Sequence, residues 1–453
     1  MQTTTLGAQR LKMVSAVALM ALPACVFYFI VSTNVVSIPI LDDYDIILRS
    51  LTWISQHHEI SSKFFFLLTS QHNGYKLMFE NAVVLSEYSL LGQVYFVPLV
   101  LLGNAFAMVI FLTVIGMTRV NCENGADKWL LLVPVAWLVF QLQYASALDF
   151  ASSSLQHLAV VAFALLAMFL LDRASSWAFW AACVALVLAI ASSPNGFFVG
   201  AVGFLMLTQD RRWQRVVAWL STVAAMLLIY LYHYGAGANV AGSDGSGTRF
   251  AHVNAIYALS FLGSSAARYS SIISSLILGS ILCAVFLLAI QRRYFRKNPA
   301  IFYSMLFILI NAAAVSAIRS DLGVTQSLAS RYRAYSNLFL VFSYIFLIED
   351  LLQRWQNKTI RRGVFAAAMT LSVAFCCLSD LAGARFLHGK KEALTASYKS
   401  EWQGNTTTPT DMNSLLAANP ALLRQLDKGV YRMNIPVFRD AVKNGVFNPP
   451  QNP

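Results

Sequence analysis

Residues 13–38 read MVSAVALMALPACVFYFIVSTNVVSI, and the chain then passes through Pro39 and Ile40 into LDDYD at 41–45. An apolar run of this length exceeds the roughly 20 residues that a helix needs to cross the hydrocarbon core of a bilayer. It is too long for a signal peptide and lacks a small-residue cleavage site, so we interpret it as a retained anchor. Asp42, Asp43 and Asp45 therefore lie at the mouth of a predicted membrane span.

Composition predicts that lipid is the solvent for most of the chain. Hydrophobic residues make up 57% of the sequence and charged residues 12%, against about 25% charged in a typical soluble domain. We predict an all-α polytopic membrane protein of about eleven transmembrane helices. After the first span, the predicted spans are 94–118, 129–148, 155–171, 177–193, 197–208, 217–234, 270–290, 300–318, 334–350 and 363–383. Pro194-Asn195-Gly196 interrupts one pair, as a tight hairpin or as a broken helix lining a cavity.

The basic residues predict the orientation. With the N-terminus in the cytoplasm, the cytoplasmic connections are 1–12, 119–128, 172–176, 209–216, 291–298 and 351–362, and they carry many Lys and Arg residues. The opposite loops near 149–154 and 194–196 carry none. This is a positive-inside pattern. It accounts for much of the net charge of +12 and argues against nucleic acid as a partner.

The predicted location is the bacterial plasma (inner) membrane, with three segments outside. These are the first loop at 39–93, a Gly-, Ala- and Ser-rich loop at 235–268 and the polar tail. The sequence thus divides into a transmembrane domain at 1–383 and an exported tail at 384–453. We expect the tail to form a small cap over the exported face or to be disordered.

The first exported loop has apolar residues at helical spacing. Ile46–Leu48 and Leu51–Ile54 are followed by an apolar patch at Phe64–Leu68 and by a third stretch at 75–91. This pattern predicts short juxtamembrane helices that lie along the membrane surface. The alternative is that they are packing helices covering the bundle, because amphipathicity reports burial and not purpose.

The acids of the first loop are the leading catalytic candidates. A carboxylate beside a membrane can act as a general base on an acceptor hydroxyl, and three acids also suit a hard metal ion. A solvated cap or a partner for a helix dipole is the simpler alternative. We favour Asp42 and Asp43 as catalytic residues, with a preference for Asp43, and we predict no required cofactor; a divalent metal stays open.

A second polar cluster lies at Gln71–Lys76. His72 and Lys76 are suited to hydrogen bonding or to facing a phosphate, with surface solvation as the alternative. Upstream, His57 and His58 are adjacent, so on a helix they would point apart. No tetrahedral zinc spacing follows from them, and we predict no metal site there.

Four later positions stand out from the Ser, Thr and Asn residues that commonly join membrane helices. Asp149 ends the third span, Asn195-Gly196 lies at a hairpin, and Arg268-Tyr269 opens the eighth span. Arg331, Tyr332 and Arg333 lie at the outer mouth of the tenth span, against the positive-inside trend. A guanidinium beside tyrosines is suited to phosphate; an ion pair with Asp321 or a first-loop acid, or a lipid headgroup contact, is the alternative.

Together these motifs resemble the GT-C superfamily of polytopic glycosyltransferases, in which an acid follows the first transmembrane helix. Asp42 and Asp43, with Asp45 as a third candidate, match that acid. Gln71-His72-Asn73 matches the start of a Gln-His-Asn-Glu-His-Arg-like stretch of bacterial, O-antigen-modifying members, while Gly74, Tyr75 and Lys76 depart from it. Asn195-Gly196 and Ser330-Arg331-Tyr332 also match.

The resemblance covers residues 1–350 in layout and implies a polyprenyl-phosphate-linked sugar as donor. The acceptor would be a cell-surface glycan, such as lipopolysaccharide O-antigen, or a lipid-linked molecule. One first-loop Asp would deprotonate its hydroxyl. The resemblance implies that Arg331, with Lys76 or Arg268, neutralises the departing phosphate, and that Asp45, His72, Asn73, Asn195 and Tyr332 bind substrate.

Other membrane functions fit the composition less well. A transporter or flippase commonly has charged residues near the bilayer midplane and inverted repeats; in this sequence mid-span charges are sparse and no convincing repeat is visible. An O-antigen polymerase or ligase would concentrate its arginines and histidines in a large late loop. A membrane acyltransferase would need a buried catalytic His, and no span carries an obvious one.

Overall fold

The computed structural model describes residues 2–57, 59–72, 74–120, 125–235, 253–269, 272–351, 358–404 and 431–451. Within these ranges the chain is helical except for turns, loops and one short β-hairpin. The predicted fold class, an all-α multi-pass membrane protein, is confirmed. Of the predicted site residues, Asn73 lies outside the described part, as does the side chain of Arg268.

The first loop contains short elements. Its helices and strands, together with α1 before them, are α1 (Gln2–Asn34), a π-helix (Tyr44–Arg49), α2 (Ser50–Gln56), α3 (Ile60–Thr69), β1 (Gln71–His72), β2 (Tyr75–Lys76) and α4 (Met78–Leu91). The strands are antiparallel, with Gln71 opposite Lys76 and His72 opposite Tyr75. Gly74 turns the hairpin at φ +81°, a conformation that glycine adopts without steric cost.

The rest of the described chain consists mostly of longer helices. They are α5 (Phe96–Met117), α6 (Gly125–Val139), a 3₁₀ helix (Leu142–Ala147), α7 (Ala151–Leu171), α8 (Ser176–Ser192), α9 (Gly196–Gln209), α10 (Trp213–Leu231), α11 (Ala255–Leu262), a 3₁₀ helix (Ser264–Tyr269), α12 (Ile272–Gln291), α13 (Tyr294–Lys297), α14 (Pro299–Arg319), 3₁₀ turns (Ser320–Leu322, Val324–Leu328), α15 (Ser330–Phe346), a π-helix (Leu347–Leu351), α16 (Lys358–Glu401) and α17 (Ile435–Lys443).

In the described part, seven helices are long and apolar enough to cross a membrane: α1, α5, α7, α10, α12, α14 and α16. Each corresponds to a predicted span. The other four predicted spans appear as α6, α8, α9 and α15, which have 15, 17, 14 and 17 residues. The count of eleven stays a prediction.

Polar contacts define two ends of the bundle. At the first-loop end, Asp43 accepts hydrogen bonds from Ser152 at the start of α7. At the basic end, Arg119 after α5 pairs with Asp172 after α7. α7 runs from the first-loop end to the basic end. α6 also begins at the basic end, because Asp127 in its first turn pairs with Lys12 near the start of α1. The chain between α5 and α7 therefore returns across the bundle.

That return differs from the predicted span at 129–148. The α-helix ends at Val139 and the chain continues as the 3₁₀ helix. Asp380 of α16 accepts the backbone N–H of Leu142 at 2.9 Å, and Gln143 donates to Ser379 at 3.0 Å. A distant helix therefore satisfies a backbone N–H that a continuous α-helix would satisfy locally, and it also accepts a hydrogen bond from the Gln143 side chain.

The C-terminal segment packs on the first loop. α16 runs without interruption through the predicted domain boundary at 383/384 and has 44 residues, about 66 Å at 1.5 Å per residue. Residues 431–451 pack against α16 and against the first π-helix. Tyr398 of α16 donates to the carbonyl of Pro450 at 2.6 Å. Val94, just before α5, donates to the carbonyl of Val446 at 3.0 Å. Asn405–Leu426 of the predicted tail lies outside the described residues.

Candidate active site

The acid cluster begins at a strained residue. Leu41 has φ +51°, a left-handed conformation that costs a non-glycine residue about 1–2 kcal/mol. Such a conformation persists where the surroundings fix it. Here the carboxylate of Asp43, two residues later, accepts a backbone hydrogen bond from Ile40 at 3.2 Å and so closes the turn around Leu41.

Asp43 is buried, and both of its carboxylate oxygens accept hydrogen bonds. It is 1% exposed, and its Oδ1 accepts from the backbone N–H of Ser152 at 2.9 Å and from the Ser152 hydroxyl at 2.7 Å. These contacts place a carboxylate at the N-terminus of α7, where the helix dipole favours negative charge. Burial raises the pKa of Asp43 to about 6, against the opposing effect of these hydrogen bonds. Asp43 anchors the loop to α7.

Asp42, its neighbour, faces the opposite way and is open to solvent. Its side chain is 55% exposed, and its Oδ1 lies 3.5 Å from Nε2 of His72 on β1. The close approach and charge of His72, then the charges of Arg331 and His157, hold the pKa of Asp42 below its usual range against the opposing effect of burial. Asp42 is therefore an accessible, ionised carboxylate. His72 contacts it, and the charges of Arg331 and His157 act on it.

The groups around Asp42 come from distant parts of the chain. His72 lies in the first-loop hairpin, His157 on the second turn of α7, and Arg331 on the first turn of α15. Arg331 lies over the ring of the buried Tyr332, with 5.3 Å between guanidinium carbon and ring centroid. The structure thus brings together Asp42, His72, Arg331 and Tyr332 among the predicted site residues.

Two basic residues near Asp42 were not predicted. They are His157, whose charge acts on Asp42, and Arg319, whose charge acts on His157. His157 falls inside the predicted span 155–171, and Arg319 follows the predicted span 300–318 by one residue. Both carried a usable signal. An ionisable residue inside a span is by default a functional candidate, and an arginine at a predicted outer helix end opposes the positive-inside trend.

Lys76 has an anchoring role. Its ammonium donates to the carbonyls of Ile229 at 3.1 Å and Tyr232 at 2.5 Å, and its backbone N–H donates to the hydroxyl of Tyr230 at 3.2 Å. A cation on the last carbonyls of a helix is stabilising. These bonds fix the β-hairpin, and with it His72, to the end of α10.

The remaining predicted residues lie at the same end of the bundle but outside this cluster. Asp45 pairs with Arg49 one turn later at 3.0 Å. Asn195 hydrogen-bonds the hydroxyl of Tyr335 at the hairpin between α8 and α9. Arg268 belongs to the 3₁₀ helix Ser264–Tyr269. Asp149 pairs with Lys390 at 2.7 Å, with side chains 6% and 2% exposed.

Arg333 joins α15 to the 3₁₀ segment, since its guanidinium donates to the carbonyls of Gln143 and Leu328, both at 3.4 Å. Arg331 and Arg333 therefore have different surroundings. Among the described residues, no group of three or more His, Cys, Asp or Glu side chains is arranged to hold a metal ion.

Comparisons with protein-family models, with curated proteins and with solved structures find no match to this chain. An exposed carboxylate beside cationic groups, at the mouth of a helical bundle, can accept a proton from a hydroxyl while the neighbouring cations stabilise a developing anion.

Proposed function

We propose that this chain is a membrane glycosyltransferase that moves a sugar from a polyprenyl-phosphate donor to a glycan or lipid-linked acceptor. The observation that carries the proposal is the position of Asp42. It is exposed at the first-loop end, 3.5 Å from His72, and within the electrostatic influence of Arg331 and His157. The resemblance of the acid loop, Gln71-His72 and Ser330-Arg331-Tyr332 to GT-C enzymes supports the same reading.

In the proposed reaction Asp42 is the general base. The acceptor oxygen forms a bond to the anomeric carbon of the sugar, and the bond from that carbon to the phosphate oxygen breaks. The acceptor proton passes to the carboxylate of Asp42, and the polyprenyl phosphate leaves as an anion. Arg331 neutralises the charge that develops on it, while His72 orients Asp42 through its Nε2.

Asp43 supports this reaction indirectly. Its bonds to Ser152 and Ile40 fix the backbone on both sides of Asp42. A catalytic group must be held within a fraction of an ångström of its productive position. We therefore assign Asp42 as the base and Asp43 as the residue that positions it.

The proposed enzyme lies in the bacterial plasma membrane with its first loop and C-terminal segment outside. Contacts between segments support eleven crossings, because they join segments that this topology places on one side. Lys297 and Asp350 pair at the basic end, as do Arg119 and Asp172. Lys391 donates to the carbonyl of Thr33 at the first-loop end, at 2.9 Å.

The proposal is tested by surface-glycan composition in cells that express Asp42→Asn as their only copy of the protein. We expect loss of the modification, because an amide cannot accept the acceptor proton. Asp440→Asn is the matched control: it makes the same change at an exposed position on α17, and glycan composition should stay normal. Normal glycan from well-expressed Asp42→Asn would overturn the mechanism.

The same strains separate the rival functions. If the protein were a transporter or flippase, Asp42→Asn cells would lose movement of the solute or lipid-linked saccharide across the membrane, while isolated protein would show no transfer. If it were a polymerase or ligase, chain length or attachment of the glycan would change without loss of one sugar type.

A further inference from the structure

A buried acid on α16 lies inside a predicted membrane span and has no part in the proposed reaction as described so far. Asp380 is 8% exposed and falls within the predicted span 363–383. Ionisable residues inside membrane helices are costly, and those that occur usually serve a function. The hydrogen bonds of Asp380 lead, through one intervening segment, to the candidate active site.

Asp380 holds the start of the 3₁₀ helix Leu142–Ala147. Its Oδ1 accepts the backbone N–H of Leu142 at 2.9 Å, and Leu142 is buried. The first N–H groups of a helix have no partner within that helix, so a buried one needs an acceptor from elsewhere in the protein. The residue before Asp380, Ser379, accepts a hydrogen bond from the Gln143 side chain at 3.0 Å. Two consecutive residues of α16 therefore fix two consecutive residues of the 3₁₀ helix.

The same 3₁₀ helix holds the first turn of α15. The carbonyl of Gln143 accepts a hydrogen bond from the hydroxyl of Ser330 at 3.2 Å and another from the guanidinium of Arg333 at 3.4 Å. Arg331 lies between these two donors in the sequence. The position of Gln143 therefore sets the position of the turn that carries Arg331.

Carboxylates hold both ends of the chain between α6 and α7. Asp380 accepts the N–H of Leu142, and Asp43 accepts the N–H of Ser152. Asp43 also fixes the backbone beside Asp42. The two sides of the candidate site, the acid loop and the first turn of α15, are thus both attached to this one connecting segment.

We propose that Asp380 is a positioning residue that holds Arg331 in place through Leu142 and Gln143. The inference rests on the proposed function, in which Arg331 neutralises the departing phosphate, and Asp380 itself touches no substrate. A displacement of about 1 Å caused by a change far from the chemistry can slow a reaction by about 100-fold. Loss of the Asp380 acceptor should therefore impair the reaction by moving Arg331.

Hydrogen–deuterium exchange of the purified full-length protein in detergent tests this role without turnover. Asp380→Leu removes the acceptor, whereas Asp380→Asn keeps an oxygen that can accept the same N–H. Ser372→Ala is the matched control, because Ser372 is a buried polar residue of α16 whose hydroxyl donates to Met369 within that helix. Exchange is measured in peptides that cover 142–147 and 330–338. If size-exclusion profiles show that Asp380→Leu does not fold, the shorter Asp380→Ser takes its place.

We expect Asp380→Leu to raise exchange about tenfold or more in both peptides, because the segments open more often without the acceptor. Asp380→Asn and Ser372→Ala should stay close to wild type, and exchange in α10 should be the same in all variants. Unchanged exchange at 330–338 in Asp380→Leu would overturn the positioning role. An equal rise in α10 would also overturn it, since the loss of stability would then be general.

Sugar transfer by protein in lipid nanodiscs is the second readout, with lipid-linked saccharides extracted from the same membranes as donor. Asp380→Leu should lower kcat/KM for this donor by about tenfold or more, and Asp380→Asn should retain most of it. In an Arg331→Ala background, Asp380→Leu should have little further effect, because the group that it positions is already absent. Equal fold losses in the two backgrounds would show that Asp380 does not act through Arg331.

The two readouts distinguish failure of this inference from failure of the proposed function. A wild-type protein that transfers no sugar would overturn the glycosyltransferase, while faster exchange at 330–338 in Asp380→Leu would still establish that Asp380 positions α15. An active transferase in which Asp380→Leu leaves that exchange unchanged would retain the proposed function and overturn the positioning role.

Discussion

Asp42 and Asp43 are consecutive residues with opposite environments. Asp43 is 1% exposed and accepts hydrogen bonds from three donors of Ser152 and Ile40. The side chain of Asp42 is 55% exposed and contacts His72. In the turn that holds Leu41 at φ +51°, adjacent side chains point apart, so one acid serves the fold and the other remains available for chemistry.

The raised pKa of Asp43 predicts a pH-dependent stability. Because the folded pKa of about 6 exceeds the ordinary 3.8, the folded state holds this proton more tightly than the unfolded state. The contribution to the free energy of unfolding is therefore greatest below pH 3.8, falls as the pH rises to about 6, and is constant above that. A shift of two units corresponds to about 3 kcal/mol.

This prediction is checked by the unfolding midpoint of detergent-solubilised wild type minus that of Asp43→Asn, between about pH 4 and pH 7. The difference should fall with rising pH and level off above pH 6. Asp440→Asn, exposed on α17, should follow wild type throughout. A difference that does not change with pH would show that Asp43 is ionised in both states.

The sequence singles out Asp42 and Asp43, but the preference for Asp43 that it suggests is opposite to the proposed assignment of Asp42 as the base. The pattern LDDYD shows three acids near a span; it does not show that Ser152, 109 residues away, donates hydrogen bonds to one of them. The predicted topology also places Arg331 and His72 on the same side of the membrane. His157 and Arg319 were not predicted as site residues. His157 lies inside a predicted span, and Arg319 directly follows the end of another.

At the scale of elements, the α8–α9 hairpin depends on Gly196. A Cβ at this position would lie 2.3 Å from the backbone carbon of Ala189 and from the backbone nitrogen of Ile190, so the two helices would have to separate. Gly196→Ala should therefore lower stability by about 1–3 kcal/mol. Gly235→Ala is the control, since a Cβ there meets no atom of the described residues within 4 Å.

Thermal unfolding of both variants in detergent measures this difference. Equal unfolding midpoints for Gly196→Ala and Gly235→Ala would contradict the close approach of α8 and α9. The hairpin itself was predicted from Pro194-Asn195-Gly196, because turn residues act locally. The end of α6 at Val139 was not predicted, since the group that breaks it is Asp380, 238 residues away.

The buried pair Asp149–Lys390 ties α16 to the start of α7. Both side chains are nearly inaccessible, and the Lys390 ammonium also lies 5.1 Å from the ring centre of Phe150 and 5.6 Å from that of Tyr431. Removing one partner of a buried pair leaves an uncompensated charge and costs about 3–5 kcal/mol. Lys390→Met should therefore destabilise the protein strongly.

A double-mutant cycle checks this coupling by thermal unfolding. Asp149→Asn combined with Lys390→Met should recover much of the stability lost in Lys390→Met alone, because the unpaired carboxylate is gone. Additive losses in the double variant would show that the two side chains act independently.

For the whole molecule, the two ends of the bundle predict opposite sides of the membrane. Asp440→Cys, at the first-loop end, should react with a membrane-impermeant thiol reagent in intact cells. Arg292→Cys, an exposed position after α12 at the basic end, should react only after permeabilisation. Wild type controls for the native cysteines. Labelling of Arg292→Cys in intact cells would show that the predicted orientation is wrong.

The all-α, multi-pass character was predictable because hydropathy acts along the whole chain. In the part of the chain that the structure describes, the seven helices long and apolar enough to cross a membrane coincide with predicted spans. The close packing of residues 431–451 beside the first loop was not predictable, because it depends on contacts between residues far apart in the sequence. The ring centre of Phe447, for example, lies 5.4 Å from that of Phe96 at the start of α5.

The central claim is that Asp42 is the base of a sugar transfer. It is tested most directly with purified protein in lipid nanodiscs, supplied with lipid-linked saccharides and acceptor glycan extracted from the same membranes. The measurement is the polyprenyl phosphate released per protein. Wild type and Asp440→Asn should release it at equal rates. Asp42→Asn should be slower by about 100-fold or more with an unchanged unfolding midpoint, whereas an Asp42→Asn rate equal to that of wild type would contradict the account.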